Sequence, residues 1–222
     1  MSSRPVPRVG VFGGSFNPIH FGHLLVADEI VEALDLDRLL LVPAALPPHK
    51  PEGDLAPARA RFEMTALAVR EHERFEVCDL ELRRPGPSYT VDTLEALRGR
   101  GELHLVIGSE TFLDLLSWKE PSRVARLARL VVVPRIGTGF DPEAPAAQKV
   151  LAELGLPGFA QVRAAADGSA TAGPLLVAAS SLPISASEIR RRAREGRSLA
   201  YRLPDSVVGY IREHHLYRSE PR

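Results

Sequence analysis

A chain of 222 residues, 45% hydrophobic and 25% charged, has the make-up of an ordinary globular protein with enough apolar material for a real core, which excludes wholesale disorder. Twenty-eight basic residues cancel twenty-eight acidic ones, so no global field draws the chain to nucleic acid or anionic lipid, and any anion site has to be built locally. The single cysteine, Cys78, excludes an internal disulfide framework or multi-cysteine metal site, and the absence of a signal-like or membrane-length apolar run makes a cytoplasmic protein the expectation.

At this length one domain is expected, spanning 1–222, with a core over about 8–180 and a helical part over about 184–217. Arg8 to Phe12 reads as a short apolar strand that ends at Gly13-Gly14. Leu24, Ala27, Ile30, Val31 and Leu34 recur at helical spacing over 22–34. Arg38 to Val42 reads as a buried strand stopped by Pro43, and a helix follows over 57–72 with Pro57 at its start. Phe75 to Leu82 alternates like a strand, with Cys78 inside it, and 91–98 reads as a helix ending at Gly99. Leu103 to Ile107 and Leu130 to Val133 are further buried strands, with one or two helices between 111 and 128. Beyond 135 the pattern weakens to a helix at 143–154, a surface loop at 164–173 and a short strand at 175–178, before helices at 185–195 and 205–214. Strands alternating with helices imply βαβ units: an α/β, Rossmann-like, doubly wound parallel sheet with helices on both faces and a helical C-terminal part.

In such sheets ligands bind beyond the carboxyl ends of the strands, where helix N-termini aim backbone amides at them. The segment 13–23, GGSFNPIHFGH, occupies that position after the first strand. Gly13 and Gly14 let the backbone turn and approach a ligand with no Cβ in the way. Asn17-Pro18 is a turn pair, and His20 and His23, three apart, can face one side of the first helical turn. Two imidazoles beside helix amides suit a polyphosphate; the plainer alternative is a glycine turn with two surface histidines. A metal site is disfavoured, because His-x-x-His supplies only two ligands. The segment is neither a dinucleotide fingerprint nor a P-loop.

Near the other end, 184–192 reads ISASEIRRR. Ser185 and Glu188 have capping-box spacing, so a helix begins here, with Glu188 reaching back to cap. The same geometry offers a phosphate site that Arg190 can clamp with a forked guanidinium. On its own the capping box, with the arginines as a solvated face, is the better explanation of the segment.

GGSFNPIHFGH resembles the nucleotidyltransferase-superfamily signature G-G-[ST]-F-[DN]-P-x-H-x-G-H, and Ile184, Ser185, Ser187, Ile189 and Arg190 resemble its second signature, I-S-x-[ST]-x-[IL]-R. Between them, Pro47-Pro48-His49-Lys50, Tyr89-Thr90-Val91-Asp92-Thr93-Leu94, Ile107-Gly108-Ser109-Glu110 followed by Trp118, and Pro134-Arg135-Ile136-Gly137 resemble segments of the bacterial nicotinate-nucleotide adenylyltransferases, as does the tail from Pro204 to Tyr217. The resemblance implies adenylyl transfer from ATP to nicotinate mononucleotide, giving deamido-NAD and pyrophosphate, with Mg²⁺ carried on ATP and no metal held by the protein. It implies that His20, His23 and Arg190 act on the triphosphate. Further ATP contacts are implied at Gly13, Gly14, Ser15, Phe16, Gly108, Glu110, Ile184 and Ser185. Tyr89 and Trp118 would flank the pyridine ring, amides around Thr90 and Lys119 would receive its carboxylate, and Asn17, Lys50 and Arg135 would contact sugar and phosphates. Position 110 is Glu where the family usually has Asp. No nucleic-acid or membrane partner is expected, and self-association is open. The other readings are a preference for nicotinamide mononucleotide or another phosphate acceptor, and a silent nucleotide-binding module.

Overall fold

The computed structural model describes residues 6–48, 55–134, 139–161, 173–180 and 182–218. In chain order the elements are β1 (Arg8–Gly14), α1 (Phe21–Ala33), β2 (Arg38–Pro43), α2 (Ala58–Val69), β3 (Phe75–Val77), α3 (Leu80–Arg83), α4 (Thr90–Leu97), β4 (Glu102–Gly108), α5 (Ser109–Leu113), α6 (Pro121–Leu127), β5 (Arg129–Val133), α7 (Pro145–Leu154), β6 (Ala160–Gln161) and β7 (Leu175–Leu176). Two helices close the chain, α8 (Ala186–Arg194) and α9 (Asp205–Glu213).

The described residues form a seven-stranded sheet in the order β3-β2-β1-β4-β5-β7-β6, and each strand pair is parallel. Parallel strands need coverage on both faces, and the period of two in the strands supplies it. Leu39, Leu41, Val106, Val131 and Val133 point to one side, where Ala27, Ile30 and Val31 of α1, Met64 of α2, Ile189 of α8 and Val207, Val208 and Ile211 of α9 cover them. Leu40, Val42, Leu105, Ile107, Leu130 and Val132 point to the other, under Val91, Leu94 and Leu97 of α4, Phe112 of α5, Val124 of α6 and Val150 and Leu151 of α7. The chain builds β1, β2 and β3 outward in one direction and then crosses to β4 beside β1. That reversal opens a crevice between the ends of β1 and β4, the topological switch point at which open α/β sheets bind ligands.

Four local expectations need correction. Leu80 to Leu82 are helical rather than part of a long strand, and Cys78 lies just past β3, buried, with its N–H on the Leu41 carbonyl at 2.9 Å. Burial pushes the Cys78 thiol above its ordinary value, so it is a small apolar residue here rather than a nucleophile. Second, β1 runs on through Gly13 and Gly14, and the left-handed residue of the turn is Phe16, at φ 40°. Third, Ser185 caps α8, its Oγ accepting the Glu188 N–H at 3.2 Å, but Glu188 does not cap back: its carboxylate pairs with Arg191 at 2.7 Å. Fourth, the segment after 135 contributes an edge strand that its sequence does not announce, β6, beside the expected short strand, found as β7, and the expected helix, found as α7, which packs beside an edge-to-face cluster of Phe112, Phe140 and Phe159. The loop expected at 164–173 falls almost wholly outside the described residues.

Candidate active site

A cleft of about 790 Å³ opens at the switch point, within the range of small-molecule sites. The residues from Gly13 to Asn17, with His20 and His23, form one wall; Gly108 comes from the end of β4, Glu110 and Thr111 from the start of α5, and Ile184, Ser185 and Ala186 from the start of α8. Tyr89, Thr90, Trp118 and Lys119 stand on a further side, with Pro47 and Pro48 at the rim.

The glycine–histidine loop is organised by its own side chains. A Cβ on Gly13 would project into open space, so the missing side chain leaves the strand end bare toward the cleft, whereas a Cβ on Gly14 would press on the Phe16 ring at 3.1 Å. Phe16 is buried and stands edge-on to Phe12 and His23. His20 takes the N-cap position of α1 and His23 the third helical position, and their rings stack at 3.7 Å between centroids. The His20 N–H donates to Nδ1 of His23 at 3.3 Å, which leaves the proton of the neutral His23 ring on Nε2, as a donor. The two imidazoles therefore act as one unit at the positive end of α1.

Asn17 is buried, and its side-chain oxygen accepts the Ala56 N–H at 3.0 Å and the Tyr217 hydroxyl at 2.8 Å. Arg190, half-buried on α8, donates from Nη1 to the Asn17 carbonyl at 2.9 Å. The two ends of the chain thus meet within hydrogen-bond distance. Arg190 braces the histidine loop from behind and is not among the residues that line the cleft. Burial raises the Tyr217 phenol above its ordinary value, against the pull of the Arg190 and Arg61 charges.

Across the cleft, α4 begins at Thr90 without a side-chain cap on its first amides, so they remain available to an anionic group. Lys119 sits 4.7 Å from the centre of the Tyr89 ring and pairs with Asp92 at 3.2 Å. Trp118 is half-buried beside them. This corner combines aromatic faces, helix amides and a cation, a set suited to a flat, negatively charged ring. Glu110 is exposed at the second position of α5. Lys50 and Arg135, with His49, Ile136 and Gly137, lie outside the described residues.

Sequence reasoning missed two charged residues. Glu81 lines the cleft yet is buried; burial pushes its carboxyl above the usual carboxylate range, opposed by hydrogen bonds from Thr93 and Ser88 and by the charges of Arg84 and Arg61. Arg61, on α2, is 1% exposed. The motif match ran through Thr93, whose hydroxyl donates to Glu81 at 2.6 Å, so a buried hydroxyl in need of an acceptor was the available signal. Among the described residues, no three His, Cys, Asp or Glu side chains gather as a metal-binding set, and no helix is long and apolar enough to cross a membrane.

A model of cytidylyltransferase-like proteins matches residues 11–192. A protein of Thermus thermophilus named "probable nicotinate-nucleotide adenylyltransferase" is 47% identical over 95% of this chain and 100% of its own length. One of the same name from a Roseiflexus species is 40% identical over 98% of this chain and 100% of its own. The chain belongs to the nicotinate-nucleotide adenylyltransferase family. A solved structure of the Plasmodium falciparum nicotinic acid mononucleotide adenylyltransferase, complexed with NaAD, superposes with a TM-score of 0.68 at 18% identity, covering 95% of this chain and 97% of that one; at that identity the likeness is one of fold. In this fold the segment 13–23 and the start of α8 come together at one cleft.

Proposed function

We propose that this chain transfers the adenylyl group of MgATP to nicotinate mononucleotide, giving deamido-NAD and pyrophosphate in NAD biosynthesis. One observation carries the reading: the stacked histidines of α1 and the capped start of α8 face a single cleft whose far side is the open α4 entrance with Tyr89, Trp118 and Lys119. Triphosphate donors and an acceptor pocket are then side by side.

A phosphate oxygen of the mononucleotide attacks the α-phosphorus of ATP in line. The new P–O bond forms as the bond to the bridging oxygen of the β-phosphate breaks, and the electron pair leaves with pyrophosphate. The nucleophile is already ionised at neutral pH, so the protein supplies no general base; it positions the reactants and stabilises spreading negative charge. His20 and His23 donate to the α- and β-phosphates, while Ser185 and the first amides of α8 receive the departing pyrophosphate, with Arg190 fixing the loop between them. Gly13, Gly14, Ser15, Phe16, Gly108 and Ile184 shape the nucleotide side, and Glu110 takes the ATP ribose through a side chain one methylene longer than the family's usual Asp. Lys50 and Arg135 serve the sugar and phosphates. Mg²⁺ enters as part of the nucleotide substrate. Amides of α4 matched to a carboxylate are poorly matched to a carboxamide, which is the physical basis of acid-over-amide choice. The whole chain acts as one domain, in the cytoplasm, on small molecules rather than nucleic acid or membrane.

The test is pyrophosphate release with ATP and Mg²⁺ and three acceptors in parallel: nicotinate mononucleotide, nicotinamide mononucleotide and phosphopantetheine. Release with the first well above the other two is expected. Equal or greater release with the amide overturns the acceptor assignment, and release with none, despite ATP binding, overturns the activity.

A further inference from the structure

Arg61 stands outside the chemistry described above. It lies in the second turn of α2, its side chain directed back toward the helix start, where Nε donates to the Ala56 carbonyl at 2.9 Å. Nη1 donates to the Ser15 carbonyl at 2.8 Å and to the Ala44 carbonyl, and Nη2 to the Ala45 carbonyl at 2.9 Å. One guanidinium, sealed from solvent, therefore binds carbonyls of three segments: the loop after β1 that carries His20, the loop after β2, and the lead into α2. Two of those residues, Ser15 and Ala44, line the cleft. Ala56 in turn donates to Asn17.

The network continues to the acceptor side. The Leu46 N–H donates to Ser88 Oγ at 3.2 Å, and the Ser88 N–H returns to the Leu46 carbonyl at 2.9 Å, so the loop that Arg61 holds also holds the entrance of α4. Glu81, buried at the cleft, accepts from the Thr93 hydroxyl on α4. Arg84 donates to the Thr93 hydroxyl at 3.2 Å and the Tyr89 carbonyl at 3.4 Å. A buried guanidinium is costly unless its donors and charge are satisfied. Here four main-chain bonds meet the donors' need, and a plain apolar core residue would have filled the same volume.

We propose that Arg61 is a positioning residue that fixes the histidine loop and the acceptor-helix entrance relative to each other, so that the attacking phosphate and the α-phosphorus meet in line. The inference rests on the adenylyl-transfer reading. In-line transfer is steeply sensitive to ångström-scale misplacement, while the binding of each substrate alone is less so. Only a fork can reach carbonyls on three segments; a lysine keeps the charge as a single point.

The experiment measures kcat and both KM values, together with thermal melting, for the parent, Arg61→Lys and Glu81→Gln, well below each melting temperature. For Arg61→Lys, kcat is expected to fall about tenfold or more, with each KM raised less than kcat falls. A variant that only melts earlier, with kcat and both KM values within about twofold of the parent, overturns the proposal, because a purely structural role moves stability without moving turnover of the folded enzyme. Glu81→Gln replaces the carboxyl that accepts from Thr93 by a neutral amide and so loosens the α4 end of the network; a rise of the acceptor KM of about threefold or more, with the ATP KM unmoved, is expected. If Arg61→Lys does not fold, Glu81→Gln decides: an unchanged acceptor KM overturns the coupling. A parent that releases no pyrophosphate at all refutes adenylyl transfer itself, a result distinct from an active parent with equally active variants.

Discussion

At the scale of single residues, the histidine pair and a buried histidine elsewhere give opposite kinds of prediction. His23 holds its proton on the nitrogen away from the His20 amide and is half-buried at the cleft wall. Truncating one donor to a transition-state oxyanion in a preorganised site costs roughly 100- to 1,000-fold in turnover. His23→Ala should therefore lose about that much kcat while melting within a few degrees of the parent; near-normal turnover would remove the histidines from the mechanism. His104, on β4, is wholly buried and does not line the cleft. Burial holds its imidazole below its ordinary value near 6.5, with Arg8 and Arg129 pushing the same way and Glu102 opposing them. The folded state thus binds this proton less readily than the unfolded chain, so the stabilising preference for neutral His104 is complete above pH 6.5 and is lost as pH falls through that value. Chemical denaturation of the parent and of His104→Gln from pH 8 to pH 5 should show the parent losing more stability on acidification; parallel curves would refute the assignment.

At the scale of elements, what was legible follows from signal length. β1, β2, β4 and β5 are apolar runs bounded by Gly or Pro, and α1 has helical periodicity over its whole length, so each was readable from residue pattern. Phe75 to Leu82 was misread because alternation in FEVCDLEL continues past the strand into α3, a helix of 4 residues too short to show its own period. β6 has 2 residues and offers no pattern at all. Glu81 and Arg61 escaped because a charged residue reads as solvent-facing unless its partners are known, and those partners are distant carbonyls and a hydroxyl. The motif residues, by contrast, were visible as a set, although their positions could not reveal that Arg190 would lie behind the loop on the Asn17 carbonyl. Docking of α9 is a testable element-scale contact. Its Tyr210 donates to Glu63 of α2 at 2.6 Å, and burial first, then this bond, raises the phenol to about 12. Tyr210→Phe keeps the ring and removes the bond, so a loss of about 1 kcal/mol is expected, or roughly 2–4 °C in melting temperature at this chain length. An unchanged melt would mean that Val207, Val208 and Ile211 alone hold the helix.

At the scale of the whole molecule, the cleft is assembled from segments far apart in sequence: 13–23 from the first strand and helix, 88–90 and 118–119 from the middle, and 184–186 near the end. Helices on both faces of the sheet contribute, α1 and α8 from one core and α4 from the other. A ligand that touches all of these segments cannot bind until the entire sheet and its C-terminal helices are in place, so binding is linked to global folding rather than to one subregion. At a free concentration about 100 times its dissociation constant, such a ligand adds about 2.7 kcal/mol, which for a protein of this size is a rise of roughly 5–10 °C in melting temperature. MgATP in the absence of acceptor should raise the single unfolding transition by that order, and the rise should shrink in His23→Ala, whose fold is intact but whose triphosphate donors are depleted. A rise of equal size in both proteins would place the nucleotide away from the histidine wall; a rise confined to one of two separable transitions would mean that the two ends of the chain do not fold as a unit around the ligand.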